Sequence, residues 1–226
     1  MWAFQFSMQA ALATINPSPT LNDFQNHIKK AYEVAEAEQA RKPPAQNISE
    51  KLIRLGILDQ TGRMAFQHLD FSSVPESERQ AWRMAIFSEI SRHDIKYQDE
   101  LVKLIPEDGW FKISIYGKEA ARSAFLIVQH ATNNVTLMRQ VLKKLGELWP
   151  SGEAEGQLYA LMYDRVSLEF DKKPQLYGTQ VKCNAGHWEA YNLEDKNHVN
   201  ARRTSVGMKQ TLEEYLSTFD DSKCDK

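Results

Sequence analysis

Hydrophobic residues recur at helical spacing along most of the chain. Such a pattern is typical of helices that bury one apolar stripe and expose a polar face. Proline or glycine follows several of these segments, as at Pro43 and Pro106, and stops the helix there. The predicted helices span residues 21–42, 49–58, 77–104, 118–131, 135–148, 151–170 and 209–219. The pattern therefore predicts a mainly α fold.

Polar residues mark how these helices begin and where they break. Thr20 or Asn22 is suited to cap the first helix, and Ser77 with Gln80 has the spacing of a capping box. Ser73 with Glu76 has the same spacing, so the third helix can also begin one turn earlier. The apolar pattern of that helix slips near Asp94, which predicts a break. Gly62 is interpreted as a turn.

Two short segments have the composition of β-structure. Residues 176–191 contain aromatic and β-branched residues around Asn184-Ala185-Gly186, which predicts a β-hairpin. Residues 112–116 are interpreted as a short strand or an extended segment. The predicted architecture is a helical domain at 76–220 with one small hairpin, a helical N-terminal extension at 1–75 and a polar tail at 221–226.

Composition and charge exclude several classes of protein. Among the 226 residues, 42% are hydrophobic and 26% are charged, as in ordinary soluble globular proteins. The 28 basic and 30 acidic residues give a net charge of −2, without the clustered basic excess of a nucleic-acid-binding protein. No segment approaches the roughly 20 apolar residues of a membrane span. A small-molecule partner stays possible, and a protein partner is unknown.

The N-terminus and the two cysteines bear on localisation. Residues 2–13 end in Ala-Leu-Ala, which resembles a cleavage site, but they lack a basic segment, so an amphipathic helix is favoured over a signal peptide. Cys183 and Cys224 are too few for a disulfide framework. Reduced thiols in the cytoplasm are the simplest interpretation, and an exported protein with one disulfide is the alternative.

Polar residues concentrate between residues 164 and 207, within segments that otherwise look like core. Asp164 and Arg165 interrupt an apolar helix, where an ionised group is costly unless it has a partner. We expect Arg165 or Arg202 to be buried against a carboxylate, such as Asp164, Glu169 or an acidic ligand. The other polar candidates in this region are Gln175, Tyr177, Gln180 and Arg203.

These residues carry a resemblance over about residues 80–219. The chain is similar to a bacterial domain family of unknown function. The shared pattern comprises Gly109-Trp110, Val128-Gln129-His130-Ala131, Asp164-Arg165-Val166, Gln175-Leu176-Tyr177-Gly178-Thr179-Gln180, and Arg202-Arg203 with Val206-Gly207. The chain departs from the pattern at Tyr97, where the family has Asn, and at Phe111, where it has Pro. The resemblance implies a shared fold and a shared polar site, but no reaction.

The candidate site follows from residue chemistry. His130 is a candidate general acid or base, because imidazole titrates near neutrality, and Asp164 is its expected orienter. Arg165 with Arg202 or Arg203 would clamp an anion, and Gln175, Tyr177 and Gln180 would line the pocket. Each of these residues also has a purely structural interpretation, as a buried hydrogen bond, an ion pair or turn chemistry.

Other chemistry has little support in the sequence. Cys183, His187 and His198 have no recognisable zinc spacing, so no metal is predicted. Neither a Gly-rich phosphate loop nor a nucleophile elbow is present, and no cofactor is predicted. The first hypothesis is a pocket for a small anionic or amide-containing ligand, with hydrolytic or transfer chemistry. The alternative is a non-catalytic interaction module that binds through the N-terminal extension, and the residues do not decide whether the protein is an enzyme.

Overall fold

The computed structural model describes residues 19–221 and Cys224. The predictions made for residues 2–13 lie outside the described residues. Within the described part, the chain forms nine α-helices and one two-stranded antiparallel sheet, so the mainly α prediction is confirmed. The elements are α1 (Leu21–Arg41), α2 (Ile48–Gln67), α3 (Glu76–Val102), α4 (Ile113–Tyr116), α5 (Lys118–Gln129), α6 (Val135–Leu148), α7 (Gly156–Glu169), β1 (Val181–Asn184), β2 (His187–Ala190), α8 (Val199–Ser205) and α9 (Leu212–Leu216).

Six helices bury their apolar faces in one hydrophobic cluster. Helix α2 packs against α1, α3 and α5, and α6 packs against α5 and α7. Fully buried side chains come from both halves of the chain, among them Ile28, Leu52, Ile90 and Phe125. Helices α1 and α2 are therefore part of the same core as the rest, whereas the predicted domain boundary at residue 75 stays a prediction. Between residues 19 and 221, none of the helices combines the length and the apolar character that a membrane span needs.

Two predictions about helix starts have different outcomes. Thr20 caps α1 in a reciprocal box: its Oγ1 accepts from the N–H of Asp23 at 3.2 Å, and Asp23 accepts from the N–H of Thr20 at 2.8 Å. Helix α3 instead begins after Pro75 without a side-chain cap, so the predicted capping box at Ser77 is wrong.

The predicted break near Asp94 is also wrong. Helix α3 runs for 27 residues without interruption. Asp94 is only 7% exposed, and its carboxylate binds Arg63 of α2. The polar residue that disturbs the apolar pattern thus faces inward, because a neighbouring helix supplies its counter-charge.

Gly62 lies inside α2 and is not a turn. A Cβ at this position would collide with the ring of Tyr32 on α1, and a Cβ at Gly56 would come within 2.6 Å of Ser123 on α5. Both glycines therefore allow neighbouring helices to approach α2 closely. The segment 112–116 is likewise not a strand. It contains α4, where Ser114 donates its backbone N–H to Glu153 at 3.0 Å.

The predicted hairpin is confirmed, with its strands at 181–190. Val181 pairs with Ala190 and Asn184 with His187. Ala185 and Gly186 have φ values of 50° and 83°, and positive φ at both central residues is the geometry of a type I′ turn. A disulfide joins Cys183 to Cys224 across a separation of 41 residues. The interpretation of the cysteines as reduced thiols is therefore wrong, and localisation stays a prediction.

Candidate functional site

The carboxylate of Asp164 is fully buried on α7 and holds the loop that precedes the hairpin. It accepts hydrogen bonds from the backbone N–H groups of Leu176 at 2.8 Å, Tyr177 at 3.1 Å and Thr179 at 2.9 Å. The hydroxyl of Thr179 adds a fourth donor at 2.9 Å. Burial raises the pKa of Asp164, and the hydrogen bonds from these residues oppose that shift. The charge in this apolar helix is thus compensated by loop donors and not by an arginine.

Gln175 completes the same loop, residues 175–180. Its side chain is fully buried, and its Nε2 donates to the carbonyls of Gln180 and Tyr191 at 2.9 Å each. Its Oε1 accepts from the N–H of Gln180 at 3.0 Å. Gly178 has a φ of 66°, and a Cβ there would lie 2.7 Å from the Leu212 side chain. The absence of a side chain at Gly178 therefore lets Leu212 of α9 pack against the loop.

Arg202 and Arg203 hold the outer side of this loop. Arg202 Nε donates to the carbonyl of Leu176 at 2.7 Å, and Asp195 Oδ2 lies 3.9 Å from its Nη1. Arg203 is buried, and its Nη1 donates to the carbonyl of Tyr177 at 2.9 Å. Neither arginine is bonded to a residue that contacts His130, so the structure does not bring them together with His130 as the sequence led us to expect.

His130 lies at the C-terminal end of α5 and is bonded to Asp59, not to the expected Asp164. Its Nδ1 is 2.9 Å from Asp59 Oδ2, and Asp59 is fully buried on α2. A carboxylate only accepts hydrogen bonds, so Nδ1 donates and the neutral ring carries its lone pair on Nε2. Within the described part of the chain, Nε2 of His130 has no hydrogen-bond partner.

A second ion pair adjoins the His130–Asp59 pair. Arg63 binds both oxygens of Asp94, at 2.8 and 2.9 Å, and its Nη1 is 4.0 Å from Asp59 Oδ1. Burial lowers the pKa of Arg63, but the hydrogen bonds and charge of Asp94 outweigh it, so the pKa lies above its usual value. Sequence reasoning missed Asp59 and Arg63, because the turn assigned at Gly62 ended the helix that carries them. Their i, i+4 spacing on one helix face was the signal available.

Arg165 of α7 lies next to the His130–Asp59 and Arg63–Asp94 pairs. It donates from Nη1 to the carbonyl of Gln129 at 3.1 Å and from Nη2 to Gln180 Oε1 at 3.3 Å. Its Nε is buried and has no hydrogen-bond partner among the described residues, and Glu169 Oε1 lies 3.9 Å away. Burial lowers the pKa of Arg165, partly offset by Glu169, and the charge of Arg63 lowers it further. Arg165 is thus not paired with Asp164 and has only a distant carboxylate.

We call these residues the polar cluster. It comprises Asp59, Arg63, Asp94, His130, Arg165 and Gln180. It brings together three of the predicted site residues, His130, Arg165 and Gln180, and adds three that sequence reasoning missed. Asp164, Gln175, Arg202 and Arg203 build the neighbouring loop instead, and Tyr177 lies within that loop.

Part of the polar cluster has ligand types suited to a cation. Asp59, Asp94 and His130 each offer an atom within 4.8 Å of the others. Arg63, however, already occupies both oxygens of Asp94, so a metal ion would have to displace its guanidinium. The residues weighed in the sequence have other partners: His187 contacts Asp221, and His198 contacts Asp195.

Comparison with known proteins places the chain in a family. A family model described as a family of unknown function, DUF6624, matches residues 72–226, which include Asp94, His130 and Arg165. Asp59 and Arg63 precede the matched segment. No curated protein and no solved structure matches the chain significantly. Because the matched segment covers more than half of the 226 residues, the chain belongs to the family of unknown function DUF6624.

Proposed function

We propose that the polar cluster binds a small anionic ligand through Arg165, and that His130 acts on this ligand as a general acid or base. The observation that carries the proposal is the incomplete pairing of Arg165. Its guanidinium is largely buried, yet within residues 19–221 its Nε has no hydrogen-bond partner, and the carboxylate of Glu169 stays 3.9 Å away. A buried charge is normally compensated, so a carboxylate or phosphate group is the chemistry that would complete it.

The His130–Asp59 pair supplies acid–base chemistry beside that charge. With Nδ1 donating to Asp59, the Nε2 lone pair can remove a proton from a water or hydroxyl nucleophile. The nucleophile adds to the carbonyl carbon or phosphorus of the ligand, and His130 returns the proton to the leaving group. Asp59 stabilises the imidazolium between these steps. The reaction classes that fit are hydrolysis or group transfer on an anionic ester, amide or phosphoester.

The structure carries less support for a non-catalytic interaction module. Such a protein would satisfy its polar network within the chain, as Asp164 and Gln175 do. Arg165 departs from that pattern. The predicted interaction surface is the N-terminal extension, residues 1–75, and its helices α1 and α2 contribute fully buried residues to the common core, among them Ile28 and Leu52. The observation that favours this alternative is the set of exposed apolar side chains on α1 and α2, among them Val34, Ile57 and Met64.

Anion binding can be tested by NMR titration of the His130 ring. Inorganic phosphate and acetate serve as minimal phosphoryl and carboxyl probes. We expect at least one of them to shift the His130 signals saturably in the wild-type protein and not in Arg165→Met. Arg139→Met is the matched control, because Arg139 is exposed and pairs with Asp171 away from the polar cluster. It should respond like the wild type.

Binding and catalysis are tested in separate experiments. If neither anion shifts the wild-type His130 signals, or if Arg165→Met responds like the wild type, the binding proposal is wrong. Catalysis is tested with chromogenic acyl and phosphoryl esters, where His130→Gln should lower turnover by about 10²- to 10⁴-fold. An unchanged rate in a folded His130→Gln variant would leave binding intact and remove the catalytic role.

A further inference from the structure

A cleft lies between the N-terminal ends of α5 and α7 and the C-terminal segment. Its volume is about 690 Å³, within the range of small-molecule sites. No residue of the polar cluster lines it. The lining residues are Lys118, Glu155, Gly156, Gln157, Leu161, Thr179, Arg203, Val206, Gly207, Met208, Lys209, Gln210 and Tyr215.

Arg203 is the central cation of this cleft. Its side chain is held by two carbonyls, those of Tyr177 and Gln210, each at 2.9 Å, and it stacks on the ring of Tyr215. Arg203 is only 3% exposed and has no carboxylate within 4.0 Å among the described residues. Its remaining nitrogen, Nη2, has no hydrogen-bond partner among those residues. A fixed guanidinium without a direct carboxylate partner thus borders an open cleft, and the carboxylates of Asp164 and Glu213 act on it only from a distance.

The charges around Arg203 also favour an anion. Lys118 and Lys209 line the cleft with it, against one acidic residue, Glu155. Glu155 pairs with Lys118 at 2.9 Å and with Arg122 at 3.1 Å through its Oε2, so the excess positive charge of the lining comes from Arg203 and Lys209. The N-terminus of α7 borders the same space at Gly156, and a helix N-terminus carries a partial positive charge.

Part of the cleft wall is apolar. Leu161, Val206, Met208 and the ring of Tyr215 line it. An inorganic ion would leave this surface exposed, whereas an organic anion would cover it. From the buried Arg203, its free Nη2 and this wall, we infer that the cleft is a binding site for an organic anion, whose carboxylate or phosphate pairs with Arg203 and whose apolar body lies on Tyr215 and Met208.

This site is independent of the proposed reaction at His130. Gln180 links the two regions, because it accepts from Arg165 and also donates from Nε2 to the hydroxyl of Thr179 in the cleft wall at 3.1 Å. His130→Gln should therefore leave binding in the cleft unchanged, which distinguishes a failure here from a failure of the proposed function.

Benzoate and phenyl phosphate test the inference, and benzyl alcohol is a neutral probe with a similar body. Binding is followed through the methyl signal of Met208 in protein labelled at its methionine methyl groups. We expect at least one anion to shift that signal saturably, and benzyl alcohol to bind at least tenfold more weakly. Arg203→Gln should abolish the response.

Because Arg203 also holds two carbonyls, its variant can fail to fold, and Lys209→Glu provides a second test. Lys209 is exposed, so its reversal should weaken anion binding at least fivefold without unfolding the protein. Lys196→Glu, an exposed lysine outside the cleft, is the matched control and should change affinity less than twofold. The inference is overturned if neither anion shifts the Met208 signal, if benzyl alcohol binds equally well, or if Lys209→Glu binds like the wild type.

Discussion

Two neighbouring regions bury charge in opposite ways. In the 175–180 loop, Asp164 receives four hydrogen-bond donors from the loop backbone and Thr179, and every contact is made within the chain. In the polar cluster, Arg165 and His130 each keep a nitrogen without a partner among the described residues. The difference separates structure from candidate function, because a saturated network stabilises the fold whereas an unsaturated one retains the capacity to bind.

The largest loss of stability is expected for a substitution of Asp164, whose hydrogen bonds are all satisfied. Asp164→Asn replaces an acceptor oxygen by an NH₂ group that faces N–H donors, so buried donors lose their partner. We expect the free energy of unfolding to fall by about 3 kcal/mol, measured by urea denaturation. Asp99→Asn, on the exposed face of α3, is the control. A midpoint shift no larger than that of the control would show that the Asp164 contacts contribute little.

Gln175→Met should have the next largest effect. The substitution keeps the length of the side chain but removes three hydrogen bonds, two to carbonyls and one from the N–H of Gln180. A loss of about 2 kcal/mol is expected in the same denaturant series. Gln140→Met on the exposed face of α6 is the control. Equal stability of the two variants would contradict a structural role for Gln175.

Asp59→Asn should disturb the polar cluster more than the fold. Its hydrogen bond to His130 loses the carboxylate charge, which is worth about 1–2 kcal/mol of stability. An amide can either accept from or donate to Nδ1, so without the carboxylate charge the fraction of the ring that is protonated on Nε2 should rise. The ¹⁵N shifts of the imidazole report this tautomer directly. An unchanged tautomer would mean that Asp59 does not orient His130.

The smallest expected change in stability belongs to Arg165→Met. Arg165 makes only two hydrogen bonds, at 3.1 and 3.3 Å, and its burial costs desolvation energy. Because the lost hydrogen bonds oppose the relieved desolvation, we expect the free energy of unfolding to change by only about 1 kcal/mol. A loss as large as that of Asp164→Asn would remove the contrast between the two regions and would make Arg165 a structural residue.

Local patterns predicted most of the architecture. The apolar spacing located α5 and α6 closely, and Asn184-Ala185-Gly186 marked the hairpin turn. The errors occurred where a distant part of the chain changed the local preference. Asp94 suggested a break in α3 because its partner Arg63 lies 31 residues away. Gly62 suggested a turn because the sequence does not show its actual role, which is to make room for the ring of Tyr32 on α1.

At the candidate site, too, the sequence did not show which distant residues are in contact. The sequence by itself determined the helical class, the hairpin and the residue types rich in chemistry, because these follow from local spacing and composition. Only the tertiary structure decided which of them meet. His130 is 71 residues from Asp59 along the chain, whereas Asp164, nearer in sequence, turns to the 175–180 loop. Hydrogen-bond pairing in a core depends on how helices pack, and that packing is set by the whole buried surface and not by any one segment.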